Sequence, residues 1–405
     1  MSIHAAAELV ADRIRKSEYV EIVAHHDADG IAAGSILALA MTRAGIRFRL
    51  RVRQEISEGD LVREDENLLC DIGAGIEDLP HDTMVVDHHE ARFTGEYHVN
   101  PRLAGIDGDR ELSASGISYI VASKLGDNRD LAGLAVLGMI GDRQAISGMN
   151  LTIFNDGVAN GIIVPARGLL LPGRDLNERL LTAITPVIDG ISGDEAAVRE
   201  IIASESKTGP ADLKRVLSLS VLSAIRTHGP DCIEAIYGDA FGLEREVIAD
   251  AHSLAAVVDA CGKTGHGDLG AALCLRYSRD VATAWEITRL HRLGVIAAFR
   301  SAALQEAGDG IYEVESPEMA SDVADALSCR SGIKTPIAVI ARDKTSCRIS
   351  ARCPDGTVAD LGAALRTLAQ ACGGSGGGHC CRAGATIPCA QVDAFKKGWI
   401  AAVTA

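Results

Sequence analysis

Three short β-rich runs near the start of the chain each end on acids and histidines, and this placement restricts the fold more than any other feature. Tyr19 to Ala24 reads as a strand running into HHDADG, which supplies His25, Asp27 and Asp29. Leu68 to Asp71 ends on Asp71, and Met84 to Asp87 ends on Asp87, His88 and His89. Ile31 to Ala44 has helical spacing and closes on Gly45. Phe48, Leu50 and Val52 alternate with Arg47, Arg49, Arg51 and Arg53, as in a strand with one apolar and one charged face. Strands alternating with helices build an α/β fold, a mostly parallel sheet with helices on its faces. In such sheets the carboxyl ends of the strands border the ligand crevice, so the three clusters converge on one place.

A single Asp or His after a strand is ordinarily a turn or cap residue. Three clusters of metal-ligand residue types within 65 residues exceed what turns require. Carboxylates gathered at one point raise each other's pKa unless a cation offsets them. A divalent metal ion meets that need, and histidine with carboxylate but without thiolate suits Mn2+, with Mg2+, Fe2+ or Co2+ as alternatives.

At 405 residues the chain is long enough for two or three domains, and 47% hydrophobic with 23% charged residues marks an ordinary globular chain. The longest apolar stretch, Leu131 to Gly141, is shorter than the ~20 residues of a membrane span. Glu8, Asp12 and Arg13 interrupt the place where a signal peptide would be apolar, so a cytoplasmic protein is expected. Eleven cysteines, seven of them in the last quarter and none in a CxxC pair, read as reduced core residues and not as a zinc or iron–sulfur site. The net charge of −15 disfavours nucleic acid, yet residues 326–405 carry ten Lys or Arg against four Asp, a basic module on an acidic body.

Three segments are expected: an α/β domain over 1–160, a helical connector over 161–305 punctuated by prolines, and a smaller α/β domain over 306–405. The last contains strand-like Ile311 to Val314, Ile337 to Ala341 and Cys347 to Ala351, a helix from Asp360 to Cys372, and a glycine-rich loop, Gly373 to Gly378, before His379. Successive glycines let backbone N–H groups face an anion, which makes this loop a phosphate-binding element beside a basic domain. The arginine face of residues 47–53 reads as an edge strand kept soluble or, alternatively, as a track for a phosphodiester backbone.

The strings HHDADG, Asp71 in LLCDIGAG, DHH at 87–89 and Asp142 in MIGDRQ resemble, in order and spacing, the four motifs of the DHH phosphoesterase superfamily. GGSGGGH at 373–379 resembles the GGGH signature of the DHH-associated domain of its RecJ-like branch, and residues 260–275 are similar to a segment of archaeal RecJ-like proteins. The resemblance implies a two-metal site. His25 and Asp27 would hold one ion, Asp29, His88 and Asp142 the other, and Asp71 would bridge them. His25 fits the His-x-Asp-x-Asp spacing, which leaves His26 as a packed or solvent-facing neighbour. His89 would face phosphoryl oxygens and Asp87 would orient a histidine, while Gly376, Gly377, Gly378, His379, Ser350 and Arg352 would bind substrate. The implied function is a Mn2+- or Mg2+-dependent phosphodiesterase of single-stranded nucleic acid, a RecJ-like exonuclease with a replication or repair partner. The alternatives are the same chemistry on short oligonucleotides, cyclic dinucleotides or phosphoadenosine phosphate, and, in a different class, a replisome scaffold with little catalysis.

Overall fold

Asp27 begins the first long helix three residues before the apolar periodicity does. Its side chain accepts from Gly30 N at 3.0 Å and so caps α2 (Ala28–Ala44), which ends on left-handed Gly45. The computed structural model describes residues 1–56, 60–61, 66–205, 213–229, 232–305, 309–353 and 360–404. Elements are numbered in chain order. After α1 (Ile3–Lys16), β1 (Tyr19–His25) pairs in parallel with β2 (Arg47–Arg53) on one side and β3 (Glu66–Cys70) on the other. β4 (Met84–Val86) and β5 (His98–Val99) extend the sheet, giving the all-parallel order β2-β1-β3-β4-β5. Strand order reverses beside β1, which opens a crevice at the carboxyl ends of β1 and β3.

Val20, Ile22 and Ala24 face the main core, shared with α1, α2, α3 (Ala114–Leu125), α4 (Ala132–Gly141) and α5 (Gly148–Ala159). On the opposite face Val23, Leu69 and Val85 pack against Ile56, Leu61, Ile72, Leu79 and Phe93. The parallel sheet with helices against it is as expected; on this second face the β3–β4 and β4–β5 links contain no helix, and loop side chains do the covering. On the edge strand β2, Arg51 meets Glu21 at 3.2 Å and Arg53 meets Asp60 at 2.8 Å, so these arginines are neutralised locally.

The described residues group into two compact units, Met1–Arg167 with Asp239–Thr288, and Gly168–Gly238 with Arg289–Ala405. The stretch expected as one connector, 161–305, divides between them. A ribbon of β6 (Val164–Leu169) and β7 (Tyr237–Gly242) carries the chain across the boundary and back. α10 (Ala251–Lys263) and α11 (Gly267–Cys274), which contain most of the 260–275 segment, return to the first unit's core. Arg276 pins them there, contacting Asp130 at 2.7 Å and the buried Glu246 at 2.9 Å. Burial alone would raise the pKa of Asp130, but Arg43 and Arg276 bring it to about 2. Its stabilising contribution is therefore present above 3.8 and is lost as pH falls through about 2. Arg276→Ala leaves Glu246 buried without its cation and should cost about 3 kcal/mol by urea unfolding, with a flatter stability profile between those two pH values.

The second unit holds α6 (Leu176–Leu181), α7 (Glu195–Glu205), α8 (Leu213–His228), α9 (Cys232–Ile236) and the later part of α12 (Val281–Ala303). Its sheet, ordered β11-β12-β10-β9-β8, comprises β8 (Ile311–Val314), β9 (Ile337–Asp343), β10 (Ser346–Arg352), β11 (Ser375–Gly378) and β12 (Arg382–Pro388). α13 (Ala320–Ser328) and α12 cover one face, while α14 (Leu361–Ala371) and α15 (Val392–Thr404) cover the other. Most of the expected glycine loop is thus an edge strand. A Cβ on Gly374 would lie 2.1 Å from Thr386 O, and one on Gly376 would lie 3.1 Å from Ala369 of α14, so side chains are excluded by packing before any ligand is considered. The expected boundary at 305/306 falls on residues outside the described set.

Candidate functional site

The crevice at the end of β1 and β3 gathers every acid and histidine of the four amino-terminal motifs. Asp71 sits at its centre, just past β3, with a left-handed φ of 60° that a non-glycine residue seldom adopts. Its Oδ2 lies 3.3 Å from His25 Nδ1, and its Oδ1 lies 3.2 Å from His88 Nε2 and 3.6 Å from His89 Nδ1. Asp71 is 2% exposed, and neither oxygen accepts a hydrogen bond of ordinary geometry.

Two triads flank it. On one side His25 Nδ1 lies 2.8 Å from Asp27 Oδ2, so His25, Asp27 and Asp71 form one potential ligand set. On the other, His88 Nε2 lies 3.1 Å from Asp142 Oδ2 and 3.9 Å from Asp29 Oδ2, so Asp29, His88 and Asp142 form a second. Asp142 reaches the crevice as the C-cap residue of α4, although more than fifty residues separate it from the DHH triplet. Asp29 is wholly buried and accepts from Ala114 N at 2.7 Å and Ser115 N at 3.0 Å, at the N-terminus of α3. These bonds fix its orientation against a helix end that favours negative charge.

Asp87 lies against a histidine, as the sequence implied, and that histidine is His89. Its Oδ1 accepts from His89 N at 3.1 Å and lies 2.8 Å from His89 Nδ1, while Oδ2 accepts from Ala74 N at 2.8 Å. Burial alone would raise the pKa of Asp87, but the two neighbouring histidines and Ala74 N–H hold it below the usual carboxylate range. Asp29 shows the opposite balance: burial, then Asp142 and Asp71, push its pKa well up. Burial disfavours charged His25 and His88, yet Asp27 and Asp71 for the first, and Asp142 and Asp71 for the second, outweigh it and raise both. The same negative potential favours a divalent cation, and the orphaned oxygens of buried Asp71 fit a donor set built for one.

Several supporting residues carry no signal of their own in the sequence. His88 Nδ1 lies 2.6 Å from Gly108 O, which leaves Nε2 to face the acids. Gln144 donates to the same carbonyl at 2.9 Å and accepts from Asn150 at 2.8 Å. Gln144 stands inside MIGDRQ and could have been suspected, whereas nothing in the sequence links Gly108 to His88. His26 is not an idle neighbour either, because its Nδ1 lies 3.1 Å from His25 Nε2.

The expected substrate-binding residues all lie in the second unit, in two different settings. Gly376, Gly377 and Gly378 form the edge strand, and His379 follows with its N–H donated to Arg382 O at 2.7 Å. Ser350 and Arg352 lie inside the unit. Each is only 7% exposed, on the face of β10 that α13 covers. Arg352 donates to Asp325, to Ser321 Oγ at 2.8 Å and to Ala351 O at 2.8 Å, while Arg382 reaches the other Asp325 oxygen at 2.8 Å. Arg352 therefore holds α13 on the sheet and has no open face for an anion. Arg352→Ala strands Asp325 with one partner fewer and should lower stability by about 3 kcal/mol, read as an earlier urea midpoint.

No helix among the described residues is long and apolar enough to cross a membrane. Residues 308–404 match the family model of the DHHA1 domain. An uncharacterized protein of Methanocaldococcus jannaschii is 25% identical over 414 aligned positions, covering 94% of this chain and 92% of the relative. RecJ from Thermus thermophilus, crystallised with Mn2+, superposes with a TM-score of 0.61 at 18% identity, covering 99% of this chain and 54% of RecJ, so the chain spans about half the length of that enzyme. CDC45 from Entamoeba histolytica superposes with a TM-score of 0.63 at 12% identity, covering both chains completely. Residues 308–404 thus carry a DHHA1 domain, and the amino-terminal parallel sheet, whose strand ends carry the acid and histidine strings, has the fold of RecJ.

Proposed function

We propose that the chain is a metal-dependent phosphodiesterase that hydrolyses single-stranded nucleic acid from an end, with two Mn2+ or Mg2+ ions at the crevice. The observation that carries this reading is Asp71, whose two buried oxygens face the two triads, one oxygen to each. In this reading His25 and Asp27 hold one ion, Asp29, His88 and Asp142 hold the other, and Asp71 serves both. Divalent ions held there supply a nucleophile from water at neutral pH and offset charge on the scissile phosphate.

The protein's own groups do the rest. Gly108 O fixes His88 by its Nδ1 proton, and the α3 N–H groups keep Asp29 from turning away. Asp87 anchors the His89 ring, so that its remaining nitrogen points out to donate to a phosphoryl oxygen as charge develops. Gly376 to His379 and the basic character of the last eighty residues bind the strand backbone, and binding weakens with salt. The likeness to CDC45 concerns the fold, and the complete set of acids and histidines favours hydrolysis over a scaffold role.

The test is hydrolysis of a 5′-labelled single-stranded oligonucleotide and of a dinucleotide by protein loaded with Mn2+. Chelator-sensitive release of mononucleotides from the long strand is expected. Exclusive cleavage of the dinucleotide would move the substrate to short oligonucleotides, and no hydrolysis of either would sink the catalytic reading.

A further inference from the structure

Seven cysteines in the last quarter of the chain have no part in the chemistry above, and two of them meet. β10 and β12 pair antiparallel with Cys347 opposite Ile387 and Ser346 opposite Pro388. The ladder continues one step, since Cys389 N donates to Thr345 O at 3.0 Å. Cys347 and Cys389 are therefore diagonal neighbours on one face of the sheet, held by backbone bonds on both strands. Their Sγ atoms stand 2.8 Å apart, so a bond of ~2.05 Å needs a shift of under ~1 Å. The vicinal pair Cys380 and Cys381 stands farther apart, at 3.8 Å.

We propose that Cys347 and Cys389 are a modification site, a dithiol that closes to a reversible disulfide when a low-molecular-weight disulfide such as oxidised glutathione is present. Cys347 is fully buried and Cys389 is partly exposed, which sets the order of events. The Cys389 thiolate attacks one sulfur of the small disulfide, forming a mixed disulfide and releasing one small thiol. Cys347 then gives up its proton and attacks the Cys389 sulfur, and the second small thiol leaves. Two protein thiols are oxidised, one small disulfide is reduced to two thiols, and the two protons end on those thiols. Burial and the neighbouring Cys389 push the Cys347 thiol up to about 12, in keeping with its entering second, on a sulfur already in contact.

The bridge joins β10 to the turn before α15 and encloses residues 348–388, which include α14, β11 and His379. A loop closed around the glycine strand restricts the unfolded chain, so oxidation should stabilise the part of the unit that carries it. A reducing compartment keeps the pair open, and an oxidising shift closes it.

The experiment incubates the reduced full-length protein with oxidised glutathione, blocks the remaining thiols by alkylation, digests without reductant and analyses peptides by mass spectrometry. A Cys347–Cys389 linked peptide pair that disappears on treatment with dithiothreitol is the expected result. Cys347→Ser should instead trap a stable glutathione adduct on Cys389, and Cys389→Ser should show no adduct at Cys347. A glutathione adduct persisting on Cys389 of the parent chain, a bridge through Cys380 or Cys381 instead, or no loss of free thiol at either position overturns the assignment.

Discussion

Asp71→Ala is expected to hold neither divalent ion after desalting and to hydrolyse labelled oligonucleotide at least ~1,000-fold more slowly than the parent, about 4 kcal/mol in the barrier. The reason is positional. Asp71 Oδ2 faces His25 and Asp27 while Oδ1 faces His88, so one substitution removes an oxygen from each set. Asp27→Ala removes an oxygen from one set only and should leave about one equivalent of metal. Metal analysis on both variants at matched protein concentration separates the two outcomes. An Asp71→Ala protein that keeps two equivalents would show that His25 with Asp27, and Asp29 with His88 and Asp142, each hold an ion without it, and would remove Asp71 from its central role.

Gly138→Ala should be among the more damaging single methyls in the first unit, and it strikes the metal-ligand set directly. A Cβ there would lie 2.0 Å from Asp29 Oδ1 and 2.1 Å from Ser115 Oγ. Asp29 cannot swing aside, because both its oxygens accept from the α3 backbone. α4 must then move, taking Asp142 at its end with it. Overpacking of this kind costs about 1–3 kcal/mol, and the set of Asp29, His88 and Asp142 should lose affinity while His25 and Asp27 keep theirs. Thermal unfolding together with Mn2+ titration reads both effects. Unchanged stability with two sites of parental affinity would contradict the close approach of α4 to Asp29.

The first sheet was legible because period-two and helical patterns alternate cleanly up to Val52, and because its strands end on residues unsuited to a core. Asp142 became visible only through the order of the motifs, since an aspartate after a helical glycine is unremarkable by itself. The setting of Arg352 was not legible in the sequence: a basic residue on a strand near a glycine run suggests an anion, while the acid that engages Arg352 is Asp325, from a helix earlier in the chain. The glycine run itself was read by its freedom, although close packing of α14 and β12 demands small residues there. The division of 161–305 was hidden because Asp130, Glu246 and Arg276 are far apart in sequence and join only in the fold.

The return of 239–288 to the first unit has a consequence for the order of synthesis. Leu254, Val257, Val258 and Leu273 share the core of α2 and α4, yet they are translated after the whole of 168–238. A nascent chain that has emerged only as far as Arg167 carries all six proposed metal ligands but leaves that side of the core open to water. The core behind the ligand-bearing sheet therefore cannot be completed until the later segment is made. It waits for α10 and α11, and during that interval the exposed apolar flank is where a ribosome-associated chaperone would be needed.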